Sequence, residues 1–118
     1  MRRTIVIGDI HGGFRALTQL LERAKVTQLD RLIFIGDLVD GWSESFELIR
    51  SLIELSQRQI CIFIKGNHDL FLENYLAKNE FDPVWIAHGG KATLDGYRDR
   101  STEEKESHLV FFRQMKLY

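Results

Sequence analysis

The sequence predicts an α/β fold, a mainly parallel β-α-β-α-β sheet covered by helices. Three short runs, 4–7, 31–35 and 60–64, are apolar almost throughout and rich in β-branched residues, as expected of strands buried in a parallel sheet. A segment with apolar residues at helical spacing follows each of them. Every run also ends at a glycine flanked by side chains that can bind metals.

Thr4-Ile5-Val6-Ile7 is the first strand, ended by Gly8-Asp9. Phe14, Leu17, Leu21 and Ala24 share one helical face and predict a helix over about 14–25. Arg31 to Ile35 is the second strand, ended by Gly36-Asp37. Phe46, Ile49 and Ile53 give a second helix over about 43–56. Ile60 to Ile64 is the third strand, with a short helix expected around 70–77. Apolar strands alternating with helices imply that both faces of the sheet are covered. Farther on, Asp82-Pro83 marks a turn. Ser101 with Glu104 forms a capping box that opens a helix of about 102–115.

The length of 118 residues predicts one domain, 1–118. A net charge of -1, with no basic run interleaved with aromatics, argues against a nucleic-acid partner. No apolar stretch reaches the ~18 residues of a membrane span, and the apolar start is too short for a signal peptide. The single cysteine, Cys61, sits in an apolar strand and can form neither an internal disulfide nor a thiolate cage. The expectation is a soluble, cytoplasmic protein with no membrane partner.

Chemistry concentrates at the three strand ends. They read Gly8-Asp9-Ile10-His11-Gly12, Gly36-Asp37-Leu38-Val39-Asp40-Gly41 and Gly66-Asn67-His68-Asp69. The carboxyl ends of parallel strands share one edge, where ligands bind, so these residues should converge. Carboxylates and imidazole without thiolate suit two divalent metal ions, with manganese expected first and iron or zinc as alternatives. Asp9 and His11 can reach one ion, Asp37 can bridge two, and Asn67 offers a neutral oxygen to the second. Such a pair clamps a phosphate and generates a bridging hydroxide nucleophile. His68 is then placed as the general acid and Asp40 as the carboxylate that orients it.

Each piece alone has a plainer reading. Gly-Asp after a strand is a common turn, and His11 could be a loop residue. Asp40 could face a helix dipole, and His68 with Asp69 could be a surface pair. Three such clusters in succession favour a metal site.

Together the three blocks resemble the signature of calcineurin-like metallophosphoesterases. The Val39-Asp40 form of the second block is similar to the phosphoprotein phosphatase branch, which includes bacterial serine/threonine phosphatases and symmetrical diadenosine tetraphosphatases. The segment from Trp85-Ile86-Ala87-His88-Gly89-Gly90 through Thr93-Leu94 to Tyr97 resembles a downstream block of bacterial members. The resemblance spans about 4–97 and implies the same roles. Asp9, His11 and Asp37 hold the first metal, Asp37 and Asn67 the second, and His68 is the acid supported by Asp40.

Two departures qualify the resemblance. Gly41-Trp42 stands where the family usually has Arg-Gly, whose arginine grips phosphate. Arg15, Lys65 and Lys91 are candidate substitutes, and Trp42 is either a core residue or a wall of the pocket. The family also supplies two later histidines to the second metal, and neither His88 nor His108 sits where such a ligand belongs. The chain thus resembles the N-terminal half of the family's two-sheet sandwich, with an incomplete second metal site and an exposed sheet edge that invites self-association.

The first functional expectation is a serine/threonine phosphatase-like phosphomonoesterase acting on a phosphoprotein. The alternatives are a hydrolase of dinucleoside polyphosphates or other small phosphoesters, and a non-catalytic metal-binding fragment.

Overall fold

Three parallel strands form the centre of the fold: β1 (Thr4–Ile7), β2 (Arg31–Phe34) and β3 (Ile60–Phe63), in the order β1-β2-β3. The computed structural model describes residues 2–117. Thr4 pairs with Arg31 and Arg31 with Ile60, so the strands lie in step and their carboxyl ends form one edge. The intervening helices are α1 (Phe14–Arg23) and α2 (Ser45–Ser56). After β3 come α3 (Asn67–Lys78), a short turn of helix α4 (Pro83–Trp85) running into a π-turn at Ile86–Gly90, α5 (Lys91–Arg98) and α6 (Thr102–Arg113).

The α/β class and the parallel sheet are as the sequence predicts, but the covering differs. Side chains alternate across a strand. Ile7, Leu32 and Phe34 point into the core, joined by the partly buried Ile5, Cys61 and Phe63. The opposite face carries Val6, Ile33 and Ile62 in one row. Val6 and Ile60 on that face are 59% and 51% exposed, and Ile35, just beyond β2, is 47% exposed. The strand order explains this. Both crossovers step the same way along the sheet, and right-handed crossovers then place α1 and α2 on one side. Covering both faces requires an order that reverses, which apolar runs do not reveal.

On the covered side Leu48, Ile49 and Leu52 of α2 are fully buried against the sheet. Phe34 stacks on Phe63 at 4.9 Å, and Phe111 of α6 meets Phe63 edge-on at 4.8 Å. The predicted capping box opens α6, with Ser101 Oγ accepting from Glu104 N–H and Glu104 Oε1 from Ser101 N–H, both at 3.1 Å. Beyond α6 the backbone returns to the sheet, where Lys116 N–H donates to Phe63 O and Lys65 N–H to Lys116 O. This parallel bridge to Ile64 lies beside β3. α3 begins at Asn67, three residues before its expected start, so Asn67 and His68 stand on the first turn of a helix.

Candidate active site

The first two strand-end loops are bonded to each other through their backbones. Ile10 and His11 N–H both donate to Asp37 O, and Gly12 N–H donates to Leu38 O. Asp69, which the sequence allows as half of a surface pair, is fully buried. Its Oδ1 accepts from Leu38 N–H at 2.8 Å and its Oδ2 from Gly66 N–H at 2.9 Å. It therefore ties the second loop to the third. Burial pushes its carboxyl up to about 6, while these N–H groups oppose the shift.

The loops place the predicted ligands together. One ligand atom from each of Asp9, His11 and Asp37 lies within 4.8 Å of the others. His11 Nδ1 is 3.2 Å from Val39 O, which leaves Nε2 for the cluster, 3.7 Å from Asp9 Oδ2. A ring fixed through one nitrogen and open at the other suits a metal ligand. The donor set of two carboxylates and one imidazole fits a divalent first-row ion. Asp37 Oδ1 also accepts from His68 N–H at 3.2 Å, which puts the first turn of α3, and Asn67 with it, beside Asp37. Asn67 is exposed there.

His11, Asp37 and Asp40 adopt left-handed backbone, with φ of 51°, 51° and 74°. Each costs roughly 1–3 kcal/mol for a residue with a side chain, and such strain gathers at functional sites. The glycines give the loops room to approach. A methyl group on Gly66 would overlap Asp37, and one on Gly12 would meet Ser45 Oγ at 2.6 Å.

Next to the cluster stands the predicted acid and its partner. His68 Nδ1 is 2.8 Å from Asp40 Oδ2, and the His68 ring meets that of His11 edge-on at 5.4 Å. Asp40 is 1% exposed. The same Oδ2 accepts the indole N–H of Trp85 at 2.6 Å, and Oδ1 has no partner among the described residues. Asp40 N–H donates to Ser45 Oγ, which is 3.1 Å from Thr93 Oγ1. Gly41 N–H donates to Gly89 O. Gly90 lies flat against the Trp85 indole, where a Cβ would overlap the ring. The segment 85–97 is thus the wall behind Asp40. The sequence marks that segment as a block but does not indicate that Trp85 or Thr93 supports Asp40.

The candidate cations separate clearly. Lys65 pairs with Glu73, and Lys91 pairs with Asp95. Arg15 is 87% exposed, pairs with Glu44 at 3.3 Å, and lines a cavity of about 480 Å³ with Ile10 and Trp42. Trp42 is not a core residue, being 70% exposed. His88 is exposed on the π-turn. His108 is buried on α6, with Nδ1 2.6 Å from Tyr97 Oη, and burial lowers its pKa to about 4. Burial raises the Cys61 thiol to about 11, so it stays protonated.

Comparison with known proteins agrees with this geometry. The family model for calcineurin-like phosphoesterases matches residues 2–114. The chain is 32% identical to the asymmetrical bis(5'-nucleosyl)-tetraphosphatase PrpE of Bacillus subtilis, over 96% of this chain and 48% of that protein. It is 44% identical over 72 residues to the symmetrical bis(5'-nucleosyl)-tetraphosphatase of Coxiella burnetii, covering 60% of this chain and 24% of that one. A crystal structure provisionally assigned as a diadenosine tetraphosphatase superposes with a TM-score of 0.64 at 28% identity, covering 95% of this chain and 42% of the other. A serine/threonine phosphatase from Saccharomyces cerevisiae shares the fold, with a TM-score of 0.60 at 20% identity, over 99% of this chain and 37% of its own. The chain spans about half or less of these relatives' length. Three loops converging at one sheet edge, and a family match across almost the whole sequence, make this chain a member of the calcineurin-like phosphoesterase family.

Proposed function

We propose that this chain carries the metal-binding and proton-donating edge of a hydrolase acting on dinucleoside polyphosphates. The observation that carries the reading is the convergence of Asp9, His11 and Asp37 within 4.8 Å, directly beside the His68–Asp40 pair. Asp9, His11 and Asp37 would hold one divalent ion, and Asp37 with Asn67 would hold a second, with manganese the first metal to try. Ions bound there supply Lewis acidity and make water acidic enough to give hydroxide near neutral pH.

The chain's own groups do the rest. His68 Nε2 delivers a proton to the leaving phosphate oxygen, because Nδ1 is engaged by Asp40. The buried Asp40 carboxylate keeps that tautomer and stabilises the protonated ring. Trp85 and Ser45 hold Asp40 still. Arg15, at the start of α1 and largely exposed beside Glu44, takes the part of the phosphate-gripping arginine.

The names of the relatives support the dinucleotide over a phosphoprotein substrate, the first expectation from sequence. Fold likeness alone stands behind the latter. The test is incubation of the 118-residue chain with manganese and either diadenosine tetraphosphate or a phosphoserine peptide, with products separated by anion exchange. Metal-dependent loss of the dinucleotide is expected, abolished by chelation. Release of phosphate from the peptide with the dinucleotide intact would replace this reading with the phosphatase one. No turnover of either, with metal still bound by Asp9, His11 and Asp37, would leave a non-catalytic metal-binding unit.

We also propose that the unpaired sheet edge drives self-association. Sedimentation velocity over a range of concentrations is expected to show a rising mean mass. A concentration-independent monomer would remove the idea.

A further inference from the structure

Trp42 has no structural work that accounts for it. It is the second residue after Asp40, and its backbone N–H donates to His11 O at 2.9 Å. Its position is therefore fixed to the metal-binding loop itself, while its ring is 70% exposed. An isolated exposed apolar residue needs no explanation, but this one is a wall of the cavity of about 480 Å³. Ile10 and Ala16 line the same cavity. The Gly13 backbone lies beneath the indole edge, with its Cβ position 3.9 Å from Trp42 Cδ1. The volume falls within the roughly 300–1,000 Å³ of small-molecule sites. At the rim, Glu44 Oε2 holds Arg15 Nε at 3.3 Å, and Glu44 Oε1 accepts from Arg15 N–H at 3.4 Å.

We infer that this cavity is the nucleobase subsite of the enzyme, with Trp42 as the stacking platform and Arg15 facing the phosphate chain between base and metals. The inference rests on the dinucleoside polyphosphate reading and deepens it. A flat indole beside small and aliphatic side chains accepts a planar heterocycle without regard to its identity, since every base has a π-face. Trp42 bounds the cavity on one side and Arg15 and Ala16 of α1 on the other. The Gly41-Trp42 pair therefore exchanges a phosphate contact for a base contact, and the cation moves to Arg15. Specificity by stacking predicts tolerance among purines and discrimination against substrates that lack a base.

Two ligands with the same phosphate chain separate the base from the charge: ATP and inorganic tripolyphosphate. Each is titrated into the 118-residue chain in one buffer, followed by calorimetry and tryptophan emission. The other tryptophan, Trp85, is fully buried behind Asp40, so the part of the quenching that Trp42→Ala abolishes reports Trp42. ATP should quench emission and bind at least about tenfold tighter than tripolyphosphate. Trp42→Ala should weaken ATP by about tenfold or more and leave tripolyphosphate unchanged, and Trp42→Phe should retain most of the ATP affinity. An unchanged melting temperature in both variants excludes a folding effect. Equal binding of the two ligands, or a Trp42→Ala loss shared by both, overturns the subsite. If diadenosine tetraphosphate is still hydrolysed normally by Trp42→Ala, the subsite falls and the proposed function stands. If only phosphopeptide is hydrolysed and ATP does not bind, both fall together.

Discussion

At the rim of the site, Asp9, His11 and Asp37 present their ligand atoms from loops at the sheet edge. Behind the rim, Asp40 is buried, with His68 in front of it and Trp85 at its back. Asp37 and Asp40 are three residues apart on one loop and share left-handed backbone, yet they differ in what surrounds them. Asp37 gathers Asp9 and His11 into a group whose ligand atoms lie within 4.8 Å of one another. Asp40 is held by His68 and Trp85, 28 and 45 residues farther along the chain. The rim is thus a cluster of side chains able to bind a metal, and the wall is packing that positions one histidine.

Substitutions should separate the two. Asp37→Asn is expected to reduce metal binding and any hydrolysis by more than about a hundredfold, above the usual ~10–100-fold of changes to supporting partners. Its melting temperature should change little, since the like-charge cluster is relieved. Metal content by atomic absorption with a thermal melt checks this, and a strongly destabilised variant would mean Asp37 is structural. His68→Asn should lower turnover by ~10²–10⁴-fold with metal content intact. Loss of metal in that variant would move His68 into the ligand set.

Trp85→Phe removes the indole donor from Asp40 while keeping most of the packing. We expect stability to fall by roughly 1–3 kcal/mol, the cost of an unmet buried polar partner, with turnover reduced by about tenfold and metal affinity unchanged. Equal loss of metal affinity would show that rim and wall are one unit. The smallest effect should come from Thr93→Val, which cuts only the outermost bond to Ser45, at about 1 kcal/mol or less.

A pH profile reads the wall independently. Tyr97, held protonated by burial, shares a 2.6 Å hydrogen bond with Nδ1 of His108, whose pKa lies near 4 in the fold against 6.5 ordinarily. Between those values the unfolded chain binds the extra proton. The contribution of His108 to stability is therefore complete above about pH 6.5 and is lost as pH falls towards 4, by up to about 3 kcal/mol, while Asp69, pushed up to about 6, acts in the opposite direction over the same range. Denaturant melts of the parent chain and of His108→Gln from pH 7.5 to 4.5 isolate the histidine, and the variant should lack its acid-side loss. An unchanged slope in that variant would assign acid sensitivity elsewhere.

The rim was legible in the sequence because its signal is local. Asp9 with His11, Asp37 with Asp40, and Asn67 with His68 are each one to three residues apart and fall at strand ends that the apolar runs announce. The wall was not, because its bonds are long-range. Asp69 reaches Leu38 across 31 residues, Trp85 reaches Asp40 across 45 and Thr93 reaches Ser45 across 48. Periodicity assigns Trp85 to an apolar segment and cannot say which buried acceptor its indole meets. Exposure of Trp42 escaped for a similar reason, since composition does not tell a tryptophan in a core from one at a cavity mouth. Strand order escaped too, because an apolar strand looks the same whether one or both of its faces are covered.

The open face of the sheet has a thermodynamic consequence. Unfolding a domain raises its heat capacity by about 12–15 cal/mol/K per residue, chiefly because apolar surface becomes hydrated. Here Val6, Ile35 and Ile60 are already largely hydrated in the folded chain. The isolated chain should therefore unfold with a smaller heat-capacity increment per residue, and its stability curve should be flatter. Whatever covers that face should restore the missing curvature, so calorimetry alone can tell a capped sheet from a bare one.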